Sequence, residues 1–210
     1  MISNVISLQS EFPASRRPIH YIPAATMTSK VFESKKLTTA IDSCLHLHPT
    51  SQVLIHAVSY RLQEAILDLS SFTSQMAYAP NSKFMASAIS DFKQKQKRIL
   101  LSPSVQRGID LPNDLCDVII IAKVPYPSLG DKRIAARTYM KGGDIYYSIK
   151  TVRSLVQMTG RGFRHKDDFC ESYIFDTSFG KLFTTSKHLF PSWWKESLQF
   201  NKALPQHDAG

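Results

Sequence analysis

Apolar residues recur along the chain in two alternating rhythms, and each change of rhythm marks a new element. Residues 1–30 carry Pro13, Pro18 and Pro23 and close in Ser and Thr, which predicts an extended lead-in with one strand near residues 17–22. From Lys30 onward Val31, Leu37, Ile41 and Leu45 fall at helical spacing until His48-Pro49 stops the run, and residues 52–58 follow as a short apolar strand. The succession then repeats. Ser59 is placed to N-cap a helix over residues 61–69, residues 75–79 read as a weak strand, and Phe84, Ala88, Ile89 and Phe92 mark another helix. Residues 98–102 form a strand of the buried type, residues 117–124 are the most strand-like segment, and residues 172–176 supply one more. Further helices are predicted over residues 132–140, 145–163 and 180–200, the last interrupted at Pro191.

Five or so short, nearly all-apolar strands separated by helices predict an α/β domain of three layers, with a mainly parallel sheet covered by helices on both faces. Residues 1–29 are read as the lead-in, residues 30–205 as the folded domain and residues 206–210 as a disordered tail. Open parallel sheets bind ligands beyond the carboxyl ends of their strands, so chemistry is expected in the loops after Val58, Ser102, Val124 and Asp176.

Composition narrows the partner. Hydrophobic residues make up 43% and charged residues 20% of the 210, a globular balance rather than a disordered one. Lys and Arg total 26 against 17 for Asp and Glu, a formal charge of +9 that favours a polyanion such as nucleic acid. Residues 131–166 concentrate that excess, with nine Lys or Arg against Asp131 and Asp144. Cys44, Cys116 and Cys170 lie far apart without a C-x-x-C pair, which points to a reducing compartment rather than a disulfide framework or zinc ribbon. There is no basic start leading into an apolar core, and no apolar run nears the roughly 18 residues of a bilayer span. The expectation is a cytoplasmic or nucleoid-associated protein that is not secreted and has no membrane partner.

Two loops carry candidate chemistry. The segment 98–112 leaves a buried strand and presents Ser102, Ser104, Arg107, Gly108 and Asp110 in a row: two hydroxyls to donate to phosphate, a cation, a glycine for close approach, and a carboxylate able to orient a neighbouring arginine. A Ser-Pro turn followed by a solvated Asp is the plainer alternative. Farther on, Gln157, Gly160, Arg161 and Arg164 follow an i, i+3, i+4, i+7 spacing that would gather an amide and two guanidiniums on one helical face, as a phosphate clamp requires. A basic helix end would look similar, since cations are favoured there. Cys44, His46 and His48 lack a fourth ligand and a common face for a metal, and Trp193 and Trp194 read as core residues of a terminal helix.

In combination and in this order, the two loops resemble motifs V and VI of the second RecA-like lobe of the XPD/DinG family of superfamily 2 DNA helicases. Ser59, Tyr60 and Arg61 are similar to the family's motif IV, and the likeness runs from about residue 11 to residue 198. The resemblance implies that Arg164 is an arginine finger, with Arg161 and Gln157 beside it on the nucleotide. It also implies that Asp110, Gly108 and Gly160 couple the nucleotide to the track, and that Ser59, Tyr60, Ser102, Ser104 and Arg107 touch the backbone of single-stranded DNA. Arg107 departs from the family, which usually places a glutamate there.

The phosphate loop, the acidic magnesium box and the cysteines of an iron-sulfur cluster belong to the family's first lobe, and none is present here; all eight glycines lie at Gly108 or later. The resemblance therefore implies ATP and Mg2+ held mainly by a separate first lobe, no metal or cluster in this chain, and no significant ATP hydrolysis by the chain alone. A non-catalytic module that binds single-stranded nucleic acid is the alternative.

Overall fold

The apolar runs become strands, and the amphipathic runs between them become the helices that cover those strands. A computed structural model describes residues 10, 12–103, 116–160, 162 and 168–205. In chain order these form β1 (Ile19–Ala25), α1 (Ser34–Leu47), β2 (Val53–His56), α2 (Tyr60–Leu69), β3 (Met76–Tyr78), α3 (Met85–Lys93), β4 (Ile99–Ser102) and β5 (Val118–Ile121). They continue as α4 (Lys132–Thr138), α5 (Gly143–Thr159), β6 (Glu171–Asp176), α6 (Ser178–Ser186), α7 (Ser192–Glu196) and β7 (Leu198–Phe200).

The seven strands make one sheet in the order β3-β4-β2-β5-β6-β1-β7, and every pairing is parallel. Strand alternation divides the apolar residues between two cores. On one face Leu54, Leu100, Ile119 and Ile121 meet Phe92 of α3, Val152, Leu155 and Met158 of α5, Phe179 of α6, and Trp194. On the other, Val53, Ile55, Ile99, Leu101, Val118 and Ile120 meet Leu37, Ile41 and Leu45 of α1 with Leu62 and Ile66 of α2. The three-layer α/β arrangement is the expected one. Because both faces are covered there, the central strands β2, β4 and β5 are nearly continuous apolar runs rather than alternating ones.

The carboxyl-terminal segment differs from expectation. Instead of one helix interrupted at Pro191, it is α6, a single 3-10 turn, the short α7, and then β7 as an edge strand beside β1. Leu198 and Phe200 suit a strand as well as a helix, and here they close the outer edge of β1: Ile19 N donates to Ser197 O at 2.9 Å, and Phe200 packs edge-on against Tyr21. Arg17 fastens the lead-in to this segment by donating to Phe12 O, Trp193 O and Ser197 Oγ. Trp194 is buried as expected, with its indole N–H donating to Thr159 Oγ1 at 2.8 Å, and so braces the end of α5.

The link between α4 and α5 depends on two glycines for different reasons. Gly142 has φ +79°, the left-handed region that glycine enters freely, while a Cβ on Gly143 would overlap the carbonyl oxygens of Arg137 and Thr138. Among the described residues no helix is long and apolar enough to cross a membrane.

Candidate functional site at the carboxyl edge of the sheet

The carboxyl ends of β2, β4 and β5 open onto a groove of about 600 Å3. Val58, Ser59 and Tyr60 enter it from the loop after β2, Pro103 from the end of β4, and Pro125, Tyr126, Pro127 and Ser128 from the loop after β5. Ser82 and Met85 line one side near the start of α3, and Ile134 of α4 with Lys150 and Ser154 of α5 line the other. Three of the four loops singled out by sequence therefore meet. The fourth supports them: Asp176 is fully buried at the end of β6, and its carboxylate accepts from Val124 N at 2.9 Å and Ser178 N at 3.0 Å.

Local geometry sets the groove's shape. Val58 stands at φ +65°, a left-handed conformation that costs a β-branched residue about 1–3 kcal/mol and must be held by its surroundings. The turn it makes delivers Ser59 in extended conformation as N-cap of α2, with Ser59 Oγ accepting from Leu62 N at 3.3 Å. An accepting hydroxyl keeps its own proton to donate. Tyr60, the first helical residue, is 39% exposed.

Across the groove, the Tyr126 ring stacks on Tyr147 with centroids 5.8 Å apart and planes at 11°, and the Tyr147 hydroxyl donates to Pro127 O at 3.0 Å. Burial, with a smaller contribution from the Asp176 charge, pushes the Tyr126 phenol up to about 12, so it remains a neutral donor at ordinary pH. Lys150 is exposed at the rim and is the one charged side chain among the described lining residues, none of which is a carboxylate. Its ammonium lies 5.8 Å from the Tyr146 ring, which Arg137 approaches at 5.5 Å.

Of the residues singled out by sequence, Ser59 and Tyr60 line the groove. Ser102 is fully buried at the end of β4, where its carbonyl accepts from Ala57 N at 2.9 Å. Gln157 is exposed on α5, one turn beyond Ser154. The described helix runs to Thr159, with Gly160 as its C-cap at φ −92° and ψ 4°. Ser104, Arg107, Gly108 and Asp110, with Arg161 and Arg164, lie outside the described residues.

Sequence reasoning missed Tyr126, Lys150, Ser154 and Gly162. The proline-flanked Tyr126 just beyond the most apolar strand was a usable signal. Nothing in the sequence showed which face of α5 turns to the groove. A Cβ on Gly162 would overlap Cys170 Sγ, reach 2.5 Å from Cys170 Cβ and come within 3.0 Å of Cys116 O, so this glycine allows the turn after α5 to lie against the starts of β5 and β6.

A smaller polar hollow of about 340 Å3 lies on α1, lined by Lys35, Thr39, Asp42, Ser43 and His46 with Leu69 and Ser71. His20 Nε2 lies 2.7 Å from Glu171 Oε1, and His48 Nε2 lies 3.1 Å from the Tyr173 hydroxyl; this network sits at the opposite, amino edge of the sheet, with His20 and Glu171 almost wholly buried. Cys44 is buried while His46 on the same helix is exposed. Among the described residues no three His, Cys, Asp or Glu side chains converge as a metal site. Burial holds the Cys44 thiol well above its ordinary value, which leaves it unreactive.

A family model described as the helicase C-terminal domain matches residues 36–197. The regulator of telomere elongation helicase 1 homolog of Caenorhabditis elegans is 25% identical over 108 residues, covering 45% of this chain and 11% of that protein. The chain thus corresponds to a small part of that relative's length. Among solved structures, an XPD helicase superposes with a TM-score of 0.61 at 16% identity, over 88% of this chain and 35% of the other. The C-terminal domain of the DEAD-box protein Dbp5 superposes with a TM-score of 0.55 at 11% identity, over 88% of each chain. At such identities the likeness shows the fold, and it is the RecA-like fold expected.

Proposed function

The chain belongs to the helicase C-terminal domain family, and from that premise we propose that it is the second motor lobe of an ATP-dependent DNA helicase of the XPD/DinG kind. In this reading the lobe grips the backbone of single-stranded DNA at the carboxyl edge of its sheet. It also completes a nucleotide site whose phosphate cradle and magnesium ligands lie on a first lobe. The groove carries the reading: it stands where such sheets bind ligands, offers hydroxyls and a lysine, and presents no carboxylate among its described lining.

The strand's phosphates would take the Ser59 hydroxyl and the amides of Tyr60 and Arg61 at the start of α2, where unpaired N–H groups and the helix dipole favour an anion. Lys150 would neutralise a neighbouring phosphate. Such contacts hold a strand without reading its sequence, as a translocating motor requires. Gln157 at the end of α5, with Arg161 and Arg164 after it, would face the nucleotide; Arg164 is the finger that meets charge developing on the transferred phosphoryl. Asp110 and Gly108 would couple that event to the loop beyond β4, with Ser104 and Arg107 on the strand. The described residues include no convergent acidic set for magnesium, so no step is assigned to the ion in this chain.

Arg107 favours a second reading, in which the lobe has lost its motor role and binds single strands without turnover, because a cation there strengthens backbone contact at a position where the family usually has a glutamate. Both readings require binding. Fluorescence anisotropy with two unrelated single-stranded oligonucleotides should give equal affinities that fall steeply with salt. Absence of binding, or strong preference for one sequence, would sink the backbone-gripping account.

A further inference from the structure

We propose that the groove holds one unstacked nucleobase of the bound strand against the rings of Tyr60 and Tyr126, with Lys150 on the phosphate beside it. This rests on the nucleic-acid reading above and goes beyond it, since gripping a backbone needs donors and cations but no apolar cleft volume.

The groove has such volume. Its 600 Å3 falls within the roughly 300–1,000 Å3 of sites that enclose a small organic group. Its lining is mainly rings and aliphatic carbon, which a phosphate cannot use and the flat face of a base can. Its polar atoms include the hydroxyls of Ser82, Ser128 and Ser154, each able to donate or accept, so base edges of either hydrogen-bonding character find a partner. A sequence-tolerant motor needs that indifference.

The aromatic wall is ordered in advance. Tyr126 is fixed by its stack on Tyr147, itself tied to Pro127 O, so little rotamer freedom remains to be lost on binding. Tyr60 follows directly on Ser59, which places the second ring next to the residue assigned to the backbone. Charge selects the occupant: Lys150 stands at the rim, Lys132, Arg133, Arg137, Lys141 and Arg153 are exposed on α4, on α5 and between them, and no carboxylate faces the cavity among the described lining residues. An apolar segment of a first lobe would fit the carbon surface but would have no use for the lysine.

The test compares the 210-residue chain binding to oligo-dT with its binding to an abasic oligomer of the same length. Stacking of a base on an aromatic side chain predicts oligo-dT binding about 5- to 150-fold tighter. Tyr60→Ala, at an exposed first-turn position, should reduce oligo-dT affinity at least about 5-fold and leave abasic affinity unchanged, while Tyr60→Phe should retain the preference. Lys150→Ala should weaken both oligomers alike. Equal wild-type binding to the two oligomers, or equal loss on both with Tyr60→Ala, would overturn the base-holding site while leaving the backbone grip standing. Equal wild-type binding together with weakened association of a first lobe in Tyr60→Ala would assign the groove to that partner instead. Binding to neither oligomer would overturn this inference and the nucleic-acid reading together.

Discussion

Gly160 and Gly162 flank one residue in the segment that resembles motif VI, and the structure assigns them opposite tolerances. A Cβ on Gly160 would meet its nearest neighbour, Val156 O, at 3.4 Å, an ordinary van der Waals contact, and its φ of −92° is open to any residue. A Cβ on Gly162 would overlap the side chain of buried Cys170 and press on Cys116 O. Gly162→Ala therefore forces the turn away from the starts of β5 and β6, an overpacking cost of about 1–3 kcal/mol. For a domain of this size each kcal/mol moves Tm by about 2–4 °C, so a fall of about 2–12 °C is expected. Cys170→Ala should rescue little of it, because it removes Sγ but leaves Cβ in place. Gly160→Ala should fall within about 0.5 kcal/mol of wild type or gain slightly from a stiffer unfolded chain. Thermal melts of the two single variants and of Gly162→Ala with Cys170→Ala measure all of this. A wild-type Tm for Gly162→Ala, or equal losses at both glycines, would refute the close-packing argument.

Other expectations follow from buried polar contacts. The Tyr126 phenol is raised to about 12 in the fold, whereas an unfolded phenol ionises near about 10, so the unfolded chain loses its proton first. This contribution is intact below pH of about 10 and is lost as pH rises toward about 12; Tyr126→Phe should flatten the decline in Tm over that window, and an unchanged slope would contradict it. Trp194→Phe removes the donor to Thr159 Oγ1 and part of a ring packed 4.8 Å from Phe190, at a cost of about 1–3 kcal/mol in urea unfolding. An unchanged midpoint would show that Trp194 does not brace α5.

Six of the seven strands were legible, most clearly β2, β4 and β5, where burial on both faces makes a short apolar run with its own boundaries. β7 was not, since Leu198 and Phe200 suit either rhythm and become a strand only because β1 offers them an edge. Nor was the strand order, which places β1 between β6 and β7 through contacts distant in sequence. At the site, Ser59 was legible twice over, as a cap and as a strand-end residue, and it serves as both cap and groove wall. Ser102 looked equally polar and accessible but is fully buried at the end of β4. Lys150 and Ser154 were not distinguishable from the other exposed positions of a basic helix, because only the packing of Val152, Leu155 and Met158 fixes which way α5 faces.

The central claim is that this lobe is half of a motor, with fingers but without a phosphate cradle. The most direct measurement is ATP hydrolysis stimulated by single-stranded DNA, made on this chain alone and on this chain combined with a first lobe that carries a phosphate loop. Turnover only in the combination, lost in Arg164→Ala while DNA affinity stays within about two-fold of wild type, is the predicted result. Turnover by the chain alone that Arg164→Ala abolishes would contradict the account, as would a combination that binds DNA and hydrolyses nothing.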